Sequence, residues 1–135
     1  MTELEQMGRS MLDRQPFSRH LGAELLALER GRAVLALTIR PEFLQQHGFV
    51  HGGIVSYLLD NAITFAGGTV LGENVVTAEF KVNYIRPARG QRLIATAVAE
   101  ETGRRLTVCR CDVIAHDGAQ EKRCAVGQGT IMLLA

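Results

Sequence analysis

Net charge is almost absent from this sequence: 15 Lys and Arg stand against 14 Asp and Glu, leaving +1. Such a balance gives no reason to expect a nucleic-acid surface, although local Arg clusters can still hold phosphates. Cysteine is scarce as well. Three are present, an odd number, and they lack paired metal spacing. Cys109 and Cys111 lie two apart, on the same side of an expected strand, and read as buried small residues in a reducing compartment. The polar N-terminus, MTELEQMGRSMLDRQ, has no apolar signal core, so the expected location is cytoplasmic. A Gly-rich dinucleotide motif, a P-loop and HExxH-type metal spacing are all missing, as are repeats, linkers and low-complexity tracts. What is there is apolar: 47% of the 135 residues, with 21% charged. That composition predicts one packed domain spanning residues 1–135.

Apolar spacing predicts a short amphipathic helix over residues 2–14, within an N-terminal helical segment 1–20, and a turn near Pro16. Residues 22–29 and 32–39 read as a hairpin around ERGR, and 40–51 as a loop. Residues 52–71 read as the main helix. The strand 75–85 alternates, placing Val76, Ala78, Phe80, Val82 and Tyr84 on one face and Thr77, Glu79, Lys81 and Asn83 on the other. RPARG breaks the chain at 86–90, and 91–101, 104–115 and 122–133 read as three further strands. The long helix is too polar at its centre, with Asp60 and Asn61, for a membrane span. A helix apolar nearly all round must instead be covered on most sides. The expected architecture is α+β: a curved antiparallel sheet of five or six strands wrapped around one long central helix.

The segment HGFVHGGIVSYLLDNAITFAGG, residues 47–68, carries one charge among small and apolar side chains. Ser56, Asp60, Thr64 and Gly68 are each four apart and form one narrow polar stripe. A carboxylate there would be partly desolvated and suits general-base or nucleophilic work. On the residues alone, Asp60 is equally an acid paired with a buried Arg or facing water at an edge. Gly52 and Gly53 open the helix at its positive end. Their N–H groups either polarise a carbonyl or simply allow a tight turn. Eight residues separate Gly52 from Asp60, roughly 12 Å of helical rise. One helix therefore cannot bring both to one small carbonyl. If both act in one site, Gly52 of one subunit meets Asp60 of another, which predicts a homodimer with two equivalent interface sites.

VHGGIVSYLLDNA, with His51 and Asp60 nine positions apart, followed by TAEFKVNYIRPARG, resembles the hotdog-fold acyl-CoA thioesterases of the phenylacetic acid degradation (PaaI-like) group, in the 4-hydroxybenzoyl-CoA thioesterase superfamily. TGRR and GQGTIML are weaker matches, and the similarity runs over about residues 20–133. The resemblance implies a hotdog fold, a homodimer or dimer of dimers, and hydrolysis of acyl-CoA at subunit interfaces, with no cofactor beyond the coenzyme A of the substrate. By position it implies Asp60 as general base or nucleophile and Gly52 as the N–H donor to the thioester oxygen. His51 would shape the turn, Gln45 would lie near the carbonyl and Thr64 would help hold the water. Gly53, Thr77 and Tyr57 would line the substrate site, with Phe49, Val50 and Ile54 as further candidates for the acyl pocket. Arg86, Arg89, Arg104 and Arg105 would meet the nucleotide. The loop before HGG departs from the pattern, reading QQHGF, which leaves His47 as an extra candidate. Other activities open to such a chain are dehydration or hydration of acyl thioesters and non-catalytic acyl-CoA binding.

Overall fold

The computed structural model describes residues 1–135. Thr2 and Glu5 form a reciprocal capping box that starts helix α1 (Glu3–Asp13). Helix α2 (Pro16–Leu21) follows, a separate helix starting at the Pro16 where a turn was expected. Proline at its first position and Gly22 in the left-handed region at its end fix both boundaries. Strands β1 (Glu24–Glu29) and β2 (Arg32–Thr38) pair as the expected hairpin. The loop after β2 contains a single 3₁₀ turn, Pro41–Phe43, and leads to α3 (Gly52–Leu71). Four long strands complete the chain: β3 (Val75–Tyr84), β4 (Arg92–Thr102), β5 (Leu106–Asp117) and β6 (Gln120–Leu133).

The six strands form one antiparallel sheet in the order β1-β2-β4-β5-β6-β3. The chain therefore leaves β2 near one edge, runs along α3, and resumes in β3 at the opposite edge. The sheet curls around α3, the hotdog arrangement. Val55, Leu58, Leu59, Ala62, Ile63, Phe65, Ala66 and Gly67 are the buried residues of α3. They meet a core built from Leu35, Leu37, Leu93, Val113 and Ile131, all fully buried. Burial of each large aliphatic side chain contributes about 1.5–3 kcal/mol, which is why this helix holds despite four glycines within its span. α1 lies close against β1 because residue 8 is glycine. A Cβ there would stand 2.6 Å from Leu28 Cδ2 and 2.7 Å from Leu25 Cδ2.

Strand bounds differ by up to two residues from the sequence pattern, β5 beginning at Leu106 rather than at 104 and β6 at Gln120 rather than at 122. Strand β1 begins at Glu24 rather than at residue 22. More consequential is a bulge in β3 between Thr77 and Glu79, where the register against β6 shifts by one. Val75 and Thr77 face α3 before the bulge, and Phe80 and Val82 face it afterwards. The plain alternation that grouped Val76 and Ala78 with Phe80 is thus overturned, and Val76 and Ala78 are exposed.

All three cysteines are free and buried. Burial pushes the Cys109 and Cys124 thiols up to about 11, and that of Cys111 higher still, with Asp112 adding to the effect. Folded protein at pH 8 is expected to react with no equivalent of a disulfide reagent such as DTNB, and with three once unfolded. Stability should also fall with rising pH above 9. Between the ordinary thiol value of 9.0 and about 11, the unfolded chain releases protons that folded Cys109 and Cys124 retain. The loss is on the order of 1.4 kcal/mol per pH unit for each thiol, readable in urea melts.

Candidate functional site: two half-sites on one helix

Asp60 lies on the half-exposed stripe of α3, with Ser56, Thr64 and Gly68 as expected. The Thr77 hydroxyl donates to Asp60 Oδ1 at 2.7 Å. Thr64 Oγ1 is 2.9 Å from Thr77 Oγ1, 2.8 Å from the Asp60 carbonyl oxygen and 3.5 Å from Oδ1. The bulge in β3 is what makes this possible, since it turns Thr77 toward α3. No Lys, Arg or His forms an ion pair with Asp60, which removes the buried-Arg explanation for this carboxylate. Oδ2 accepts from no group of the chain. The arrangement is a carboxylate held at one oxygen and open at the other, suited to accept a proton from water or to attack an electrophile. Thr77→Val is expected to reduce turnover about 10-fold and stability by about 1 kcal/mol, through loss of this hydrogen bond. Thr77→Ser should restore both, as steady-state rates and thermal melts would report.

The second candidate feature is the start of α3. His51 is the N-cap, and its Nδ1 accepts the Gly53 N–H at 2.8 Å. That bond occupies Gly53 and puts the neutral ring's proton on Nε2. Gly52 N–H, one residue earlier, donates to no group of its own chain. It lies at the positive end of a 20-residue helix, where an unpaired N–H attracts developing negative charge. Tyr84, at the end of β3, donates its hydroxyl to the Gly52 carbonyl at 2.9 Å. Its ring stands 3.2 Å from where a Cβ at residue 52 would be. Tyr84 thus fixes the Gly52 peptide. Its role was hidden in the sequence, where it appeared only as the last apolar residue of an alternating strand.

Gln45 joins Gly52 in a cleft of about 380 Å³ that also contains Tyr84 and Arg86. Its Oε1 accepts the backbone N–H groups of His47 and Phe49, so the loop is tied around it while its amide N–H₂ is unpartnered. His47 is exposed and contributes only its backbone here. Tyr57 does not join either half-site within the chain. Its hydroxyl donates to Ser18 at 2.6 Å and accepts from Asn61, which bolts α2 to α3, and burial raises its pKa.

The four arginines divide into two groups. Arg86 and Arg89 line a second cleft of about 370 Å³ with Lys122, and Arg86 and Pro87 belong to both this cleft and the one at Gly52. Arg86 donates to the Arg123 carbonyl, and Arg89 stacks 4.8 Å over the Phe49 ring. Lys122 was not singled out in the sequence, because one Lys at a strand start carries no pattern. Arg104 and Arg105 lie at the β4–β5 turn, beside Leu133 and so at the Val75 end of β3. No three His, Cys, Asp or Glu side chains cluster closely enough to hold a metal ion.

A family model described as the thioesterase superfamily matches residues 47–122, the stretch from the loop before His51 through Lys122. The chain belongs to the thioesterase superfamily. Among its superfamily relatives of known structure is a thioesterase family protein from Silicibacter pomeroyi. That structure is 38% identical, with a TM-score of 0.92 over 97% of this chain and 98% of the other. The medium/long-chain acyl-CoA thioesterase YigI of Escherichia coli is 28% identical, over 82% of each chain. The acyl-coenzyme A thioesterase PaaI of Escherichia coli is 26% identical, over 92% of this chain and 86% of that one. The matched stretch includes Gly52, Asp60 and Thr77, together with Arg86, Arg89 and Lys122.

Proposed function

We propose that this chain hydrolyses acyl-CoA thioesters at sites completed by two copies of itself. The observation that carries the reading is the placement of its two reactive features on one rigid helix. The open Asp60 carboxylate and the unpartnered Gly52 N–H are separated by eight residues, roughly 12 Å of rise. Groups that act on one carbonyl must lie within about 3 Å of the reacting atoms. Two antiparallel copies of α3 bring the Gly52 of each to the Asp60 of the other, giving two identical sites.

In each site a thioester carbonyl accepts the Gly52 N–H of one subunit. Water, held by the Asp60 and Thr64 of the other, adds to the carbonyl carbon as Asp60 takes its proton. The oxyanion that forms is stabilised by the helix N-terminus. Its collapse breaks the C–S bond, and the thiolate of coenzyme A leaves with the proton returned from Asp60. Direct attack by Asp60 uses the same geometry, with water then cleaving the resulting anhydride. Gln45 and His51 hold the loop that frames Gly52. The nucleotide phosphates are placed in the Arg86, Arg89 and Lys122 cleft, next to the Gly52 entrance. Two relatives named as acyl-CoA thioesterases support the substrate class. The location is taken as cytoplasmic, where coenzyme A esters and reduced thiols coexist.

The test is thiol release from a panel of acetyl-, octanoyl-, palmitoyl- and phenylacetyl-CoA. Free acid and CoA in equal amounts are expected from at least one. A 3-hydroxyacyl product from an enoyl-CoA would make the chain a hydratase. Tight binding without turnover would make it a binding protein.

A further inference from the structure

Between α1 and α3 lies a cavity of about 160 Å³. Met7 and Met11 of α1 form one wall and Leu28 and Phe65 another, while Thr64 and Gly68 of α3 face it from the stripe that carries Asp60. Thr64 is one hydrogen bond from Thr77, and Thr77 one from the Asp60 carboxylate. The cavity therefore opens within two side chains of the reacting centre and continues away from it along apolar surface.

Gly68 distinguishes this space from an ordinary packing gap. Its neighbour Gly67 is glycine because a Cβ there would stand 2.8 Å from Ile131. At Gly68 the nearest atom to a Cβ would be Val75 Cγ2 at 3.7 Å, an ordinary contact. A helix interior favours alanine over glycine, and here packing does not forbid alanine. The missing side chain leaves room in the cavity and serves no neighbour. An apolar cavity of about 150 Å³ takes up benzene, so this one holds on the order of six carbons. Methionines on the α1 wall adapt to irregular apolar occupants.

We infer that this cavity receives the apolar tail of the acyl group and that the absent side chain at Gly68 sets the room available to it. The inference rests on the thioesterase reading above. It makes α1 a wall of the substrate site and Gly68 a specificity-determining residue.

The test compares Gly68→Leu, Gly68→Ala and Met11→Ala with wild type. In Gly68→Leu the ratio of kcat/KM for octanoyl-CoA to that for acetyl-CoA is expected to fall at least 10-fold. Gly68→Ala should fold at least as stably as wild type and lower the ratio about threefold, as one added methyl would. Met11→Ala, which enlarges the space, should shift preference toward longer chains. A ratio within twofold of wild type in the folded Gly68 variants overturns the inference while leaving the hydrolysis reading intact. If wild type releases CoA from no thioester, the hydrolysis reading falls and binding decides the cavity. On an Asp60→Asn background, Gly68→Leu should then weaken calorimetric binding of octanoyl-CoA at least 10-fold. Affinity unchanged within twofold overturns the inference there too.

Discussion

Replacing Asp60 with asparagine is expected to lower kcat for acyl-CoA hydrolysis by about 10³-fold, with little change in the melting temperature. Asparagine has nearly the same size, and its Oδ1 can still accept the Thr77 hydroxyl that now donates to the carboxylate at 2.7 Å. No ion pair involves Asp60, so neutralising it strands no buried cation. What disappears is a group able to take a proton or attack a carbonyl. Steady-state thiol release and a thermal melt on the same sample separate chemistry from folding. A loss below 10-fold in well-folded protein would remove Asp60 from the reaction.

The second large effect is restored activity on mixing two dead variants. Gly52→Pro removes the one unpartnered N–H at the start of α3. Proline is tolerated at a first helical position, and His51 before it has ψ 134°, as a residue preceding proline prefers. Activity is expected to fall by about 10²-fold or more, the usual consequence of losing an oxyanion donor. Gly52→Ala crowds the Tyr84 ring in the same way but keeps its N–H, so its smaller loss measures the steric share. When Gly52→Pro and Asp60→Asn proteins exchange subunits freely, half of the dimers are mixed. Each mixed dimer has one site built from an intact Gly52 and an intact Asp60. Activity should rise to about a quarter of the wild-type value. Failure to rise, with exchange verified by mass, would place both groups in a single chain's site and contradict the helix-length argument.

The stripe of α3 was legible in the sequence because a 20-residue helix has one period, and Ser56, Asp60, Thr64 and Gly68 fall on it without tertiary information. The sheet was partly legible for a similar reason, since buried positions alternate in β4 and β5, whereas β6 buries Cys124 and Ala125 in succession. α2 was missed because six residues accumulate too little periodicity, although Pro16 and Gly22 mark its ends. Plain alternation puts Thr77 on the polar face of its strand, and only the resemblance made it a site candidate, because a bulge leaves no trace in an alternating pattern when small apolar residues fill both registers. The arginines could be found but not grouped, because grouping requires knowing which strand ends meet. Only the folded chain shows that Arg86 and Arg89 share a cleft with Lys122 while Arg104 and Arg105 lie at the Val75 end of the sheet. The space beneath α1 belongs to packing alone, and the sequence held only a glycine whose reason was not visible.

Ala78 is the surplus residue in the stretch of β3 where the register shifts. Thr77 and Tyr84 are seven positions apart, an odd number, so an unbroken pleat of this chain would turn one of them away from α3. The bulge absorbs Ala78 and keeps Thr77 opposite Ile131 and Tyr84 opposite Ala125, both on the helix side. Deleting Ala78 would leave six positions between them, and a plain pleat would then hold both residues where they stand now. Flattening the bulge with Ala78 in place is the damaging change, because it would turn either Thr77 from Asp60 or Tyr84 from Gly52. The irregularity is thus a correction to the strand's count, and it keeps the two ends of β3 in phase with one helix.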